Sequence, residues 1–287
     1  MVKKFVTDIF TFEDSNVVFL GVLLGKDSEY ILNNIREASQ YIETYDLDHK
    51  KNLLENAKIF DLGNLRLKSL ADISRKTKEL VAKKKLPLLV SGGHLCSLFS
   101  LQAFDENTRI VIFDAHLDAK YEYLDRKIDK LSSFPGRKTD NQINDATWLR
   151  RLIEQGLGRK IILLGVRSGD DDEIKFLAKN GVHAFTSTQI KRSSEIVKLR
   201  IKEIVKDNPV YISLDMDSFD PSFCPAVDHP ESNGLSFLNF KDMMGMVSSN
   251  IVGIDVCCLN SYPDNISSFL AVKSIYEILG KKDFTKA

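Results

Sequence analysis

Short apolar runs rich in β-branched residues alternate along the chain with amphipathic stretches. The apolar runs are residues 17–20, 58–62, 88–91, 110–113, 161–164, 183–185, 211–214 and 252–256. Their apolar character is nearly continuous, which is typical of strands that are covered on both faces. The pattern predicts an α/β fold of three layers, in which a central, mostly parallel sheet lies between two layers of helices.

Two of the helices between these runs are defined by their spacing and their ends. Residues 194–208 place apolar side chains on one face, and the Asn208-Pro209 step is expected to end that helix. Residues 267–279 repeat apolar positions at helical spacing, with Gly280 predicted as the C-terminal cap.

One long segment lacks such a pattern. Residues 119–144 are mostly polar and contain Pro135-Gly136. A loop of this length in a compact domain is usually functional. We expect it to border the functional site as a mobile lid over the substrate.

The composition narrows the class of protein. The chain has 287 residues, 43% of them apolar, and 40 basic side chains balance 40 acidic ones. These values suggest one or two globular domains and argue against nucleic acid as a partner. No apolar run approaches the roughly 20 residues that span a bilayer. With no signal-peptide core and no C-x-x-C pair among its four cysteines, the chain is predicted to be cytoplasmic with reduced thiols.

Side chains that bind metals follow three of the predicted strands. His94 follows residues 88–91, the segment Asp-Ala-His-Leu-Asp at 114–118 follows residues 110–113, and Asp-Met-Asp at 215–217 follows residues 211–214. In open parallel sheets, ligands bind beyond the carboxyl ends of the strands. An isolated Asp-x-Asp is usually a turn, but three such clusters at strand ends predict one metal site.

The spacing within these clusters supports the same interpretation. In extended chain, residues two apart point to the same side, so Asp114, His116 and Asp118 should converge. Asp215 and Asp217 share the same spacing. Carboxylates gathered beside an apolar sheet repel one another unless cations neutralise them. With His94, the set offers two imidazoles and four carboxylates, which suit two divalent ions such as Mn²⁺.

These motifs resemble those of the ureohydrolase family, which contains arginases, agmatinases and formimidoylglutamases. The family patterns are G-G-[DE]-H, D-A-H-x-D and S-x-D-x-D-x-x-D-P. The chain reads Ser91-Gly92-Gly93-His94, then 114–118, then Ser213 to Pro221. Further segments look like agmatinases, namely residues 35–39, 61–64, 165–169 and 253–256.

The resemblance implies a single domain over residues 1–287 with an eight-stranded sheet, a homotrimer or homohexamer, and a small guanidino or amidino substrate. It implies two Mn²⁺ ions per subunit, held by His94, Asp114, His116, Asp118, Asp215 and Asp217. A hydroxide that bridges the ions would attack the guanidinium carbon and release urea and an amine. Asp118, Asp145 and Asp217 are the expected catalytic residues, and Asp145 and Cys258 the expected substrate-binding residues.

The chain also departs from the family at three positions and in one loop. Gly93 replaces the acidic residue before the first histidine, Asp145 stands where agmatinases carry an active-site histidine, and Cys258 stands where they carry the glutamate that binds the guanidinium. The substrate loop around residues 25–33 is shortened. A guanidinium without its carboxylate loses about 1.5–3 kcal/mol of charge-assisted bonding. A carboxylate at 145 does not shuttle protons at neutral pH as an imidazole does.

Two hypotheses therefore remain. The chain is an Mn²⁺-dependent hydrolase of linear amidines, agmatinase-like and with a shifted substrate. Alternatively, it is a metal-binding, catalytically weak paralogue that acts as a binding or assembly partner. Six intact ligands favour the enzyme, because a structural metal needs no open pair of ions.

Overall fold

An eight-stranded, all-parallel sheet forms the centre of the protein. The computed structural model describes residues 4–6, 9–123 and 143–284. The sheet strands are β1 (Val17–Val22), β4 (Ile59–Leu65), β5 (Leu86–Ser91), β6 (Arg109–Phe113), β7 (Ile161–Val166), β8 (His183–Thr186), β9 (Val210–Asp215) and β10 (Ile251–Cys257). A separate antiparallel pair consists of β2 (Tyr45–Asp46) and β3 (Lys51–Asn52). All eight predicted strands are present, and the predicted parallel α/β fold is confirmed.

Helices cover both faces of this sheet. They are α1 (Ser28–Ala38), α2 (Ala71–Ala82), α3 (Leu95–Ser100), α4 (Trp148–Leu152), α5 (Asp171–Lys179), α6 (Ser187–Arg192), α7 (Ser194–Val205), α8 (Phe237–Met244) and α9 (Ile266–Lys281). Successive side chains of a strand point to opposite faces, so Leu88 and Val90 of β5 join one hydrophobic core while Leu89 joins the other. This two-sided burial explains the continuous apolar runs of the sequence.

Two helix ends differ from their prediction. Helix α7 ends at Val205 rather than near Asn208, because Lys206 adopts a left-handed conformation with φ of 46°. Helix α9 runs past Gly280, so the prediction of a glycine cap there was wrong. A Cβ at Gly280 would lie 2.6 Å from Cδ2 of Leu53, so close packing rather than capping requires glycine at this position.

The strand order places the predicted ligands in the middle of the sheet. The order is β4-β1-β5-β10-β9-β6-β7-β8. Strands β9 and β6 are neighbours as expected, but β10 lies between β5 and β9, so the three ligand-bearing strands are not all adjacent. The carboxyl end of β10 therefore reaches the same edge and brings Cys257 to it.

The lid prediction falls mostly on residues 124–142, which lie outside the described part of the chain. Residues 119–123 and 143–147, on either side, lead to and from this segment. Among the described residues, no helix has the length and apolar content needed to cross a bilayer.

Candidate metal centre

Two turns present the carboxylates at the edge of the sheet. Asp114 directly follows β6 and is tied to β7 by its backbone N–H, which donates to the carbonyl of Leu164 at 3.0 Å. Asp118 ends the same segment in a left-handed conformation with φ of 47°. On β9, the backbone N–H of Asp217 donates to Oδ1 of Asp215 at 2.8 Å within a 3₁₀ turn. The carboxylates converge as predicted, but tight turns rather than extended chain bring them together.

The predicted ligands form two clusters that share one carboxylate. The ligand atoms within each cluster lie within 4.8 Å of one another. One cluster contains His94, Asp114 and Asp118, and the other contains Asp114, His116 and Asp217. Asp215 adjoins the first cluster, with Oδ2 3.1 Å from Nδ1 of His94. All six predicted ligands therefore meet in one place.

The tautomer of His94 leaves Nδ1 free to bind a metal. Nε2 of His94 lies 3.0 Å from Oγ of Ser213, and Ser213 in turn donates to Oδ1 of Asp255 at 2.9 Å. Since the single hydroxyl proton of Ser213 goes to Asp255, its oxygen accepts from His94, which places the imidazole proton on Nε2. Such a partner behind a ligand is the usual way in which proteins orient a metal-binding histidine.

Unpartnered buried atoms show that this set of residues fits a cation. His94 is 0% exposed and Asp114 is 1% exposed, yet His94 Nδ1 and Asp114 Oδ2 have no hydrogen-bond partner within the described protein. The two atoms lie 3.2 Å apart. Buried polar atoms are rarely left unsatisfied in native proteins, and a metal ion between these two would satisfy both.

The pKa values of the histidines reflect the surrounding negative charge. Burial alone lowers the pKa of His94, but Cys257 and the carboxylates around it outweigh burial and raise it well above its usual value. Burial likewise opposes the rise at His116, where hydrogen bonds to Asp114 and Asp217 raise the pKa to about 11. At Asp114, hydrogen bonds to His116 and His94 outweigh burial and lower the pKa to about 2. Cations are strongly favoured in this pocket.

The remaining carboxylates show the mutual repulsion that the sequence predicted. Burial and the charge of Asp114 raise the pKa of Asp118 to about 7. Burial, Asp217 and Asp114 raise the pKa of Asp215 well above its usual value. Divalent ions would relieve this repulsion.

Trp148 holds Asp118 in position. Its indole Nε1 donates to Oδ2 of Asp118 at 2.9 Å, and its ring lies 4.4 Å from the ring of His94. The residue is 0% exposed, so both contacts are protected from water. Trp148 thus fixes one oxygen of Asp118 and shields one face of the imidazole.

Arg167 anchors the segment that carries Asp217. Its guanidinium donates to the backbone carbonyls of Asp217 at 2.7 Å and of Glu231 at 2.9 Å, among others. This bracing places Glu231 near the centre, with Oε1 4.0 Å from Nε2 of His116. Glu231 therefore stands beside His116 in addition to Asp114 and Asp217.

Asp145 lies beside Gly93, so two of the departures from the family are neighbours. Oδ1 of Asp145 accepts the backbone N–H of Leu95 at 2.6 Å. A Cβ at Gly93 would lie 3.1 Å from Oδ2 of Asp145. The carboxylate of Asp145 therefore occupies space that a side chain at position 93 would need.

Cys258 also lies at the centre, and its neighbours were not visible in the sequence. It is half-buried and adopts a left-handed conformation with φ of 66°. Its thiol belongs to a cluster with His94, Asp215 and Cys257, whose ligand atoms lie within 4.8 Å of one another. The sequence showed no histidine near Cys258, but the fold brings one there.

The structure thus adds residues to which the sequence gave no role. Ser213, Asp255 and Arg167 belong to segments that match the family, which was the available signal. Trp148 and Cys257 approach the centre through residues that are distant in the sequence. No local sequence motif indicates this role.

Comparison with known proteins identifies the family. The model of the arginase family matches residues 32–280. The N(1)-aminopropylagmatine ureohydrolase of Thermococcus kodakarensis is 30% identical over 235 residues, covering 77% of this chain and 73% of that protein. The mitochondrial arginase of Medicago truncatula is 28% identical, covering 91% and 80%.

A solved structure agrees with these sequence relatives. The agmatine ureohydrolase of Thermoplasma volcanium superimposes with a TM-score of 0.82 at 25% identity, covering 98% of this chain and 94% of that one. The match spans the sheet, the helices and the carboxyl edge that carries the ligand clusters. The chain belongs to the arginase family of ureohydrolases, which are hydrolases of amidino C–N bonds.

Proposed function

We propose that the protein is a binuclear, Mn²⁺-dependent hydrolase of linear amidines, with agmatine as the leading substrate and putrescine and urea as products. The observation that carries this proposal is the pair of ligand clusters sharing Asp114. A shared carboxylate is what two ions held side by side require. A single structural ion would use a closed set of four ligands instead.

The chain's own residues would divide the work around this pair. His94, Asp114, Asp118 and Asp215 would hold one ion, and Asp114, His116, Asp215 and Asp217 the other. When bound, two close divalent ions lower the pKa of water and supply a nucleophile at neutral pH. Ser213 and Trp148 would keep His94 and Asp118 oriented, and Arg167 would keep Asp217 in place.

Acidic side chains near the centre support a cationic substrate. Glu231 stands beside His116, and burial together with the charge of Asp228 raises the pKa of Asp145, so several carboxyl groups gather beside the centre. Two relatives are named for agmatine and for aminopropylagmatine. Both compounds are cationic, because each is a linear guanidine that also carries amino nitrogen. We extend the proposal to a homotrimer or homohexamer in the cytoplasm.

One observation favours the second candidate, a metal-binding paralogue of weak activity. Cys258 lies where the family glutamate would bind the guanidinium, and its thiol faces His94 and Asp215 instead. A neutral thiol offers a guanidinium no charged partner. Such a protein would bind Mn²⁺ and release little urea.

Urea release tests the proposal directly. Purified protein loaded with Mn²⁺ is assayed against agmatine, aminopropylagmatine, arginine, guanidinobutyrate and formimidoylglutamate, the last by formamide release. We expect turnover of at least one compound, and loss of that turnover in Asp217→Asn. Metal-loaded protein that turns over none of the five favours the paralogue. Turnover that survives Asp217→Asn identifies a contaminating enzyme.

We further expect Mn²⁺ binding to release protons. The pKa of His116 is about 11, so this ring is protonated at neutral pH in the metal-free protein, and the pKa of His94 is raised as well. A bound metal requires neutral imidazole, so His116 must lose its proton when the metal binds, and the affinity for Mn²⁺ should rise with pH. Titration calorimetry in buffers of different ionisation enthalpy measures the release. Binding heats independent of the buffer would contradict this prediction.

A further inference from the structure

A second set of donors surrounds the histidine of one metal half-site. Cys257, Cys258, Asp215 and His94 form a cluster whose ligand atoms lie within 4.8 Å of one another. A tetrahedral zinc site has bonds of about 2.0–2.3 Å, which places its ligand atoms about 3.3–3.8 Å apart. The observed cluster therefore needs only a small contraction to hold an ion.

The backbone brings both thiols to the same side. Adjacent residues of a strand point to opposite faces, so the two thiols would diverge if strand β10 continued through Cys258. Strand β10 ends at Cys257, and the left-handed φ of 66° at Cys258 turns the chain immediately afterwards. A left-handed conformation is uncommon for residues other than glycine and concentrates at functional sites.

An unpartnered atom points into this cluster. His94 is fully buried, and its Nδ1 has no hydrogen-bond partner. Cys257 makes long contacts, since its Sγ lies 3.7 Å from the carbonyl of Leu214 and 3.9 Å from Oδ2 of Asp215. These donors are available to an ion.

We propose that Cys257 and Cys258 are ligands of the ion bound to His94, so that this half-site takes a thiophilic divalent metal such as Zn²⁺ or Co²⁺. His94 Nδ1 belongs both to this cluster and to the cluster with Asp114 and Asp118. Soft ions prefer the thiolates and hard ions such as Mn²⁺ the carboxylates. The thiol protons pass to solvent when the metal binds.

The His116 half-site keeps oxygen and nitrogen donors only. Asp114, His116 and Asp217 form that cluster, without a sulfur atom. The centre is therefore asymmetric, with one half suited to Mn²⁺ and the other able to hold a softer ion. This inference rests on the metal centre of the proposed function but not on its substrate.

Cobalt spectroscopy on the full-length protein tests the inference. The protein is stripped of metal under a phosphine reductant and titrated with Co²⁺. We expect a thiolate-to-cobalt charge-transfer band in the near ultraviolet, weakened in Cys257→Ala and in Cys258→Ala, lost when both cysteines are replaced, and kept in Cys224→Ala. Cys224 is buried as Cys257 is but lies outside the cluster, which makes it the matched control. The Zn²⁺ affinity should fall on the order of 100-fold in the first two variants, and the Mn²⁺ affinity by less than about 10-fold.

The outcomes separate this inference from the proposed function. Bound Co²⁺ without a charge-transfer band would overturn the thiol ligands and leave the metal centre standing. Protein that binds neither Co²⁺ nor Mn²⁺ would overturn the metal centre as well.

A measurement on the unsubstituted protein removes dependence on variants that fold poorly. Zn²⁺ should protect Cys258 from alkylation, as located by peptide mass analysis, while Mn²⁺ should protect it less. Equal alkylation of Cys258 with and without saturating Zn²⁺ would overturn the inference.

Discussion

The change Asp114→Asn should remove most of the bound Mn²⁺ and abolish stabilisation by the metal. Asp114 is the residue that both carboxylate clusters share, and its unpartnered Oδ2 lies 3.2 Å from His94 Nδ1. An amide keeps the shape of the side chain but not its charge. In the unsubstituted protein, each Mn²⁺ bound at 100 times its Kd should add about 2.7 kcal/mol to the free energy of unfolding. In the variant we expect that difference to vanish.

Elemental analysis after desalting and thermal melts with Mn²⁺ or chelator measure the two effects. The difference between the two melts is used because the substitution also changes the metal-free protein. Asp171→Asn is the matched control, since Asp171 is exposed on α5 and pairs with Lys175 away from the candidate metal centre. A variant that still gains stability from Mn²⁺ as the unsubstituted protein does would show that Asp114 is not a ligand.

The sequence predicted the sheet because burial leaves a simple pattern. Strands covered on both faces are apolar throughout, and all eight such runs became strands of the parallel sheet. The strand order was less accessible. Nothing in the chain indicates that β10 lies between β5 and β9, since that order depends on how distant segments pack together.

The convergence of the candidate ligands was predictable because these residues lie close together in the sequence. The residues that orient them lie elsewhere in the sequence and were not predictable. Asp114, His116 and Asp118 lie within one short segment at a strand end. The residues that orient the ligands reach them from elsewhere, as when Trp148 donates to Asp118 and Ser213 accepts from His94. Such contacts are set by the fold and leave no periodicity in the sequence.

The helix ends show a similar limit. Gly280 has the position of a cap in the sequence, but its lack of a side chain admits Leu53 from the β2–β3 region. Glycine has several structural uses, and sequence position alone does not separate them.

The departures from the family acquire a physical meaning in the structure. Asp145 accepts the N–H of Leu95 and fills the space above Gly93, so it stabilises the start of the segment after His94. The thiol of Cys258 lies within 4.8 Å of side-chain atoms of His94 and Asp215, two of the predicted metal ligands. Asp145 thus has a local role that its replacement would disturb, whatever it does for a substrate.

Restoring the family residues at these positions should raise the turnover of agmatine. We expect unsubstituted protein with both metals bound to turn over agmatine with a kcat/KM below roughly 10⁴ M⁻¹s⁻¹. Cys258→Glu supplies a carboxylate for the guanidinium, a charge-assisted pair that corresponds to an increase of about 10- to 100-fold. Asp145→His supplies an imidazole for proton transfer, but it removes the acceptor for Leu95 N–H. The single change at 145 should therefore lower the melting temperature while that at 258 should not.

The double variant should exceed the product of the two single effects, because both side chains would act on one substrate. The measurement is kcat/KM for agmatine in the four proteins, with metal content and melting temperature determined for each. The conservative change Cys258→Gln is the control, since it matches glutamate in size and lacks its charge. An equal gain from glutamine would show that shape rather than charge limits the reaction. No gain in a fully metallated double variant would locate the obstacle elsewhere, at the shortened loop around residues 25–33. There, Gly25 packs on Gly92, and Asp27 accepts the hydroxyl of Ser261 at 2.7 Å.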